Sequence, residues 1–152
     1  VYRYSYSGEE PFWDKLHIKI EDIHTGKVIV EFYTNYHSFF GIYVQQNNQD
    51  FLISRGDYQG YLIANLTTGV VKTYIDPEDV AMGCGFCPCD YEWDPWEDEL
   101  TVSGCVWACP YEYGIIYIPD LNNPIESINK ACYGIYEPDD DWFEEEDEEE
   151  WS

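Results

Sequence analysis

Five of the six cysteines lie between residues 84 and 109, and cysteines this dense could bind a metal. Structural zinc is held by four thiolate or imidazole ligands in a tetrahedron, which two short Cys-x2-Cys segments commonly supply. Cys84 and Cys87 have this spacing, whereas three residues separate Cys105 from Cys109. If zinc is bound, the candidate ligands are Cys84, Cys87, Cys105 and Cys109.

The same cysteines have two further interpretations. Cys105, Trp107 and Cys109 alternate along the chain, so in a β-strand their side chains would share one face. A cysteine outside a disulfide is among the most buried residue types and packs as a small hydrophobic side chain. We therefore expect reduced cysteines in a core and no cofactor, with zinc and with one or two disulfides as the alternatives.

Carboxylates next to aromatic residues form a second group that could do chemistry. Paired acids between aromatic walls are typical of glycosidases and of sugar-binding sites. The acids concerned are Glu92, Asp94, Glu97, Asp98 and Glu99. They fall in a predicted turn, where charged side chains are normally solvated, and no Ser or Cys motif accompanies the three histidines. We therefore predict no enzymatic activity and no catalytic residue, with sugar or calcium binding as an alternative.

The composition describes a folded chain with a strongly acidic surface. Of 152 residues, 45% are hydrophobic and 18% aromatic, too many for a disordered protein, although the net charge is -24. Direct nucleic-acid binding is not expected, because it needs basic groups that displace counterions. A basic protein surface or self-association is the expected interaction. No apolar run is long enough to predict a membrane span, and without a signal-peptide pattern at Val1 we expect an intracellular or virion-associated protein.

Alternation of apolar and polar residues, interrupted by turn residues, predicts a series of short strands. These predicted strands are residues 1–7, 16–23, 27–33, 39–44, 51–55, 61–66, 70–75, 100–103, 114–118 and 125–128. The turns D-I-H-T-G at 22–26, N-L-T-T-G at 65–69 and D-L-N-N-P at 120–124 indicate hairpins. The hairpins recur at intervals of roughly 40 to 55 residues, which is typical of a propeller or a related array.

We therefore predict an all-β fold of antiparallel, propeller-like repeats. The β-repeat domain covers residues 1–136, with a half-blade at 1–34 and blade-like units at 38–76 and 83–128, and an acidic tail follows at 137–152. A closed propeller has about four to eight blades. Fewer blades leave sheet edges exposed, which invites pairing with another chain. We expect a ring of copies, a partner that covers the open sides, or a compact sandwich instead.

Two sets of motifs in this sequence resemble known families. The D/N-x-x-T-G hairpins resemble β-propeller repeats of the WD40 and quinoprotein-like kind. The segments DYQGY at 57–61 and GCVWACPYEY at 104–113 resemble a scattered family of small, uncharacterised β-propeller-like proteins of microbes and large DNA viruses. The resemblance covers roughly residues 38–128. It implies a propeller-like fold and brings no activity, catalytic residue or cofactor with it.

The tail at 137–152 carries eleven of the 31 acids and no base. It is either a solvated, self-repelling segment or a linear motif whose aromatic residues anchor in a groove while its acids steer toward a basic surface. The candidate partner-binding residues are Trp142, Phe143, Glu144, Glu145, Glu146 and Trp151.

Together these features predict a non-enzymatic protein–protein interaction or structural module whose acidic surface and tail dock on a basic partner. Three alternatives remain from the sequence. The first is a DNA-mimicking inhibitor or immunity protein, in which the acids replace phosphates. The second is a viral capsid or particle component, and the third is a zinc-stapled binding module that would lose its fold on chelation.

Overall fold

The computed structural model describes residues 2–8, 16–34, 39–55, 60–74, 86–106 and 112–128, which form an all-β fold, as predicted. The strands are β1 (Tyr2–Gly8), β2 (Leu16–Asp22), β3 (Val28–Thr34), β4 (Gly41–Gln46), β5 (Gln49–Ser54), β6 (Tyr61–Asn65), β7 (Val71–Tyr74), β8 (Phe86–Asp94), β9 (Glu99–Val106) and β10 (Glu112–Tyr117). A single helical turn occupies residues 125–128 of this described part. No helix in the same ranges is long and apolar enough to cross a membrane.

The strands form three antiparallel sheets in which neighbours in sequence are neighbours in space. Sheet A has the order β1-β2-β3, sheet B the order β4-β5-β6-β7, and sheet C the order β8-β9-β10. Short connections make this arrangement local, since antiparallel strands can be joined by tight hairpins. Sheet B has four strands, whereas the described residues of sheets A and C supply three each.

The hairpins β2–β3 and β6–β7 are closed by the same turn. In the first turn, Asp22 Oδ1 accepts hydrogen bonds from the backbone N–H groups two and three residues later, at 2.8 and 3.2 Å. Asn65 Oδ1 does the same in the second turn, at 2.9 and 3.0 Å. Gly26 and Gly69 then adopt φ values of 69° and 85°, which glycine reaches without a steric penalty. The D/N-x-x-T-G pattern therefore predicted both hairpins correctly.

The third turn, at 120–124, leads to a different element. Asp120 Oδ1 accepts a hydrogen bond from the backbone N–H of Asn122 at 2.9 Å, as in the other turns. The chain then enters a helical turn, in which the N–H of Ile128 donates to the carbonyl of Pro124 at 3.0 Å. The strand predicted at 125–128 is therefore wrong: these residues form a helical turn that begins directly after Pro124.

Sheet B lies between sheets A and C. The core between sheets A and B consists of Leu16, Ile18, Ile20, Val30, Phe32, Leu52, Leu62, Ala64 and Leu66. The core between sheets B and C consists of Val44, Phe51, Ile53, Tyr61, Ile63, Tyr91, Leu100, Val102, Ile116, Ile118, Leu121 and Ile128. Alternate residues of β5 and β6 enter the two cores, so these strands are buried on both faces. Each fully buried side chain of this size contributes about 1.5–3 kcal/mol of transfer free energy.

Candidate functional site

Four turns lie together at one end of the stacked sheets, at residues 47–48, 65–70, 95–98 and 120–124. We call this region the turn surface. Gln46, which is buried at the start of the first turn, holds sheets B and C together here. Its Nε2 donates to Asp98 Oδ1 at 3.1 Å and to the carbonyl of Ile118 at 2.8 Å, and its Oε1 accepts from the N–H of Leu121 at 2.7 Å.

A second group of amide side chains ties the same turns to each other. Asn65 Nδ2 donates to Asn122 Oδ1 at 2.9 Å and to Gln49 Oε1 at 3.3 Å. Asn122 Nδ2 donates to the same Gln49 oxygen at 2.9 Å, and Lys72 Nζ donates to the Asn122 carbonyl. Asn65 is buried, Gln49 is half-buried and Asn122 is exposed, and their mutual hydrogen bonds hold the turns in one arrangement. The turn surface is therefore a fixed platform.

Trp96 projects from this platform at the tip of the β8–β9 turn, with 91% of its surface exposed. Asp94 holds the tip, because its Oδ1 accepts hydrogen bonds from the N–H groups of Trp96 at 2.9 Å and Glu97 at 3.3 Å. Asp98, the last residue of the turn, has a φ of 53° and takes the left-handed place that glycine holds in the other hairpins. The side chain of Glu92 is exposed nearby on β8. Residues 73–129 contain no Lys or Arg, so no basic side chain of this stretch neutralises these acids.

Three of the predicted cysteine positions come together at the opposite end of sheet C. Cys87 lies directly across from Cys105 in the β8–β9 pairing, and Cys89 is the extra residue of a β-bulge between Pro88 and Asp90. All three cysteines are half-buried thiols. Burial, followed by the neighbouring thiols, raises the pKa of Cys87 to about 11, so this group is a neutral thiol near pH 7. A neutral thiol is a poor nucleophile.

Only two of the four predicted zinc ligands lie among the described residues. Cys87 and Cys105 are adjacent, whereas Cys84 and Cys109 lie outside the described residues. Among the described residues, no group of three His, Cys, Asp or Glu side chains is placed to hold a metal ion. Binding of zinc through all four cysteines therefore stays a prediction.

The predicted partner-binding residues of the tail all lie outside the described residues, and so does Trp107. They are Trp142, Phe143, Glu144, Glu145, Glu146 and Trp151. Docking of the tail on a partner stays a prediction for the same reason.

An aromatic groove between sheets A and B was not predicted from the sequence. It has a volume of about 540 Å³ and lies between β1, the edge strand of sheet A, and β4, the edge strand of sheet B. Its lining residues are Tyr2, Tyr4, Ile20, Phe39, Gly41, Tyr43, Asp50, Leu52 and Leu66. The alternating tyrosines of the first predicted strand were the signal that could have indicated it. The sequence does not show that these tyrosines face β4, because this depends on how sheets A and B stack.

Asp50 closes one end of this groove. Its carboxylate accepts hydrogen bonds from the Tyr2 hydroxyl at 2.5 Å, the Tyr43 hydroxyl at 2.7 Å and Gln45 Nε2 at 3.0 Å. These three donors hold the pKa of Asp50 below its usual value. Burial and the Asp50 carboxylate raise the pKa of Tyr2 to about 12. The end of the groove is therefore a fixed, ionised anchor, while its walls are apolar and aromatic.

The chain matches no protein-family model, no curated protein and no solved structure. The resemblance to propeller repeats and to the DYQGY and GCVWACPYEY proteins therefore stays a prediction. Conclusions about function depend on the geometry of the turn surface, the cysteine pair and the aromatic groove.

Proposed function

We propose that this chain is a non-enzymatic protein–protein interaction or structural module, built from propeller-like sheets, whose acidic turn surface docks on a basic partner. The propeller-like arrangement is supported by the repetition of sheets A and B. The turns at 22–26 and 65–69 place β1, β2 and β3 in the positions of β5, β6 and β7. The matched residues Ile20 and Ile63 both face the next sheet of the stack.

The edges of the sheets support the same arrangement. The edge strands β4 and β8 lie against each other, as the innermost strands of neighbouring propeller blades do. With three sheets, the described residues are an arc of a propeller, and the open ends of an arc are surfaces for other chains.

The observation that carries the docking proposal is the exposure of Trp96 among carboxylates on a fixed platform. A large aromatic side chain is rarely left almost fully in solvent, and tryptophan is the residue type most enriched at interface hot spots. The surrounding acids attract a basic partner and accelerate its encounter, and the rigid turn lowers the entropic cost of binding. The partner is therefore a protein surface rich in Lys or Arg with an apolar pocket for the indole.

A row of carboxylates on β8 favours a second candidate, the DNA-mimicking inhibitor. Asp90, Glu92 and Asp94 alternate with inward residues, so their side chains project from one face about 6.7 Å apart. Glu99, opposite Asp94, lies on the same face. Carboxylates at regular spacing imitate a phosphate backbone. This candidate predicts binding to DNA-binding proteins that depends on Asp90 and Glu92 rather than on Trp96.

The two candidates are tested by substitution on the purified protein. The probes are a panel of Lys- and Arg-rich peptides, with and without apolar residues, and a basic DNA-binding domain. Trp96→Ala should weaken binding of apolar-containing basic peptides by roughly 30-fold, the loss expected for a hot spot. Ile23→Ala is the matched control, because Ile23 is 48% exposed in the equivalent turn of sheet A.

Salt and charge complete the test. Binding through the turn surface should weaken steeply with ionic strength, and Glu97→Gln should reduce it further. Unchanged affinity in Trp96→Ala would overturn the docking proposal. Loss of binding to the DNA-binding domain in Asp90→Asn and Glu92→Gln, but not in Trp96→Ala, would establish the DNA mimic instead.

A further inference from the structure

Among the described residues, sheet A has no strand that corresponds to β4 of sheet B. Aligning the two equivalent turns matches Asp22 of sheet A with Asn65 of sheet B. Counting along the paired strands from these residues then matches Tyr4 with Ile53 and Ser5 with Ser54. In sheet B, β5 pairs with β6 on one side and with β4 on the other. Its counterpart β1 pairs with β2 and is the edge of sheet A in the described part of the chain.

The place of the missing strand coincides with the aromatic groove. The groove lies between the inward face of β1 and the edge strand β4, and Tyr4, Phe39 and Leu52 provide its apolar walls. A strand edge beside a preformed apolar groove is the arrangement to which extended peptides bind by strand addition. Backbone hydrogen bonds supply affinity in this mode, and side chains that enter the groove supply specificity.

One segment of this chain repeats the sequence of β4. Residues 133–136, Tyr-Gly-Ile-Tyr, match residues 40–43, Phe-Gly-Ile-Tyr, at the start of β4. The glycine in this match has a structural reason, because a Cβ added to Gly41 would lie 3.0 Å from Leu52 Cδ1 and 3.2 Å from the Ile53 carbonyl oxygen. The match ends after Tyr136, where Glu137 and Pro138 replace Val44 and Gln45.

We propose that residues 133–136 of a second copy of this chain add to the edge of β1 as the fourth strand of sheet A, so that two copies close into a ring of six sheets. The pairing of β4 with β5 gives the expected register. Gly134 lies opposite Ser5, Ile135 opposite Tyr4, and Tyr136 opposite Arg3, since their counterparts pair in this way in sheet B. Ile135 then enters the groove, as Ile42 enters the core between sheets B and C.

The length of the connection identifies the second copy as the source of the strand. Ile128 is buried between sheets B and C, on the side of sheet B that faces away from sheet A. The five peptide steps from residue 128 to residue 133 span at most about 18 Å. Sheets A and C lie on opposite faces of sheet B and are therefore about 20 Å apart, twice the usual spacing of stacked sheets. The segment is too short to go around sheet B to β1 of its own chain.

The number of sheets fits the same ring. Closing it places the outer face of sheet C on the outer face of sheet A of the other copy. The outer face of sheet A carries Arg3 and Lys19 opposite Glu21 and Glu31, so its charges are balanced within the sheet. Six sheets fall within the roughly four to eight that closed propellers contain.

The test measures the mass of the full chain in solution by sedimentation velocity, together with hydrogen exchange of β1. We expect a dimer in which the β1 amides are protected. Ile135→Lys should give a monomer with fast exchange in β1, because a charged side chain cannot enter the apolar groove. Ile23→Lys is the matched control, because it makes the same substitution at a half-exposed turn position outside the groove, and it should remain dimeric. A synthetic peptide of residues 130–137 should bind the Ile135→Lys monomer and restore β1 protection.

Three outcomes overturn the proposal. The first is a monomeric wild-type chain. This holds even if Ile135→Lys speeds hydrogen exchange in β1, since residues 133–136 would then pair with β1 of their own chain. The second is a dimer that survives Ile135→Lys. The third is a peptide that leaves β1 exchange unchanged. The turn-surface proposal is independent of these outcomes, because Trp96 lies away from β1 and its binding test needs no dimer.

Discussion

Sheets A and B share one construction and differ in how completely they are covered. Both are antiparallel, both use the same Asx turn and left-handed glycine, and both direct matched residues toward the next sheet. In the described part of the chain, sheet B has a sheet on each face and a fourth strand, whereas sheet A has a sheet on one face and β1 as its edge strand. The difference changes the side chains that each position accepts: Tyr61–Asn65 is buried throughout, while β2 alternates between buried and half-buried residues. The burial pattern of a strand is therefore set by whether its sheet is covered on one face or on both, because β2 and β6 hold the same place within their own sheets.

The matched pair Ile53 and Tyr4 gives the largest test of this comparison. Ile53 is fully buried in β5, and Tyr4 at the same position of β1 is 55% exposed. Ile53→Ala should cost about 2–5 kcal/mol, from lost burial and a cavity that the packed sheets cannot close. Tyr4→Ala should cost less than about 1 kcal/mol when it is measured in the Ile135→Lys background, where assembly does not contribute. Urea unfolding measures both, and equal losses would contradict the difference in coverage.

The Asx residues of the two turns give the next largest contrast. Asn65 is buried, and its Nδ2 also binds Gln49 and Asn122. Asn65→Ala should cost about 2–3 kcal/mol, because it removes the turn acceptor together with both hydrogen bonds of the buried amide to Gln49 and Asn122. Asp22→Ala should cost about 1 kcal/mol, since water can reach the N–H groups of its exposed turn.

Asn65→Asp separates the two roles of this side chain. It keeps the turn acceptor that Asp22 provides naturally and removes the donor to sheet C. Recovery of less than half of the loss is expected in chemical denaturation. Full recovery would mean that the amide network contributes little to the platform.

The sequence predicted correctly those elements whose local pattern of apolar and turn residues matched their burial in the fold. In β2, Leu16, Ile18 and Ile20 alternate with half-buried polar residues, and this strand was found because one of its faces packs and the other meets solvent. The two D/N-x-x-T-G turns were predicted correctly because the turn needs an Asx side chain as acceptor and a glycine with positive φ, and both are visible in the sequence.

The sequence failed where tertiary packing decides. Strand β8 was not predicted, because Pro88 interrupts its pattern; the strand tolerates the proline because the β-bulge at Cys89 follows it directly. The groove beside β1 depends on which sheet faces Tyr4, and no local pattern contains that information. The exposure of Trp96 was not predicted, since exposure of a turn tip follows from the network around Gln46.

The glycines of the two turns give a smaller contrast. Gly69 has a φ of +85°, and an added Cβ would lie 3.3 Å from the Ile29 carbonyl oxygen of sheet A, whereas a Cβ on Gly26 would meet nothing within 4 Å. Gly26→Ala should therefore cost only the left-handed strain of about 1–2 kcal/mol. Gly69→Ala should cost more, because sheet A must also move away. Denaturation midpoints at equal slope measure the difference, and identical losses would show that the sheets separate freely at this end.

The smallest effect is the pH dependence that Asp22 confers and that Asn65, a neutral amide in the same turn, cannot. Hydrogen bonds from the backbone N–H groups of His24 and Thr25 hold the pKa of Asp22 below its ordinary value of 3.8. A carboxyl whose pKa is lowered by folding stabilises the folded state above its unfolded pKa and loses this contribution as pH falls through the folded value. Asp22→Asn keeps the acceptor and removes the titration, so its stability should equal that of the wild type near neutral pH and decline less steeply in acid. Thermal unfolding of both proteins at a series of pH values measures this difference, with Glu92→Gln on sheet C as the control. Parallel curves below pH 3.8 would show that the charge of Asp22 adds nothing to a turn that an amide closes equally well.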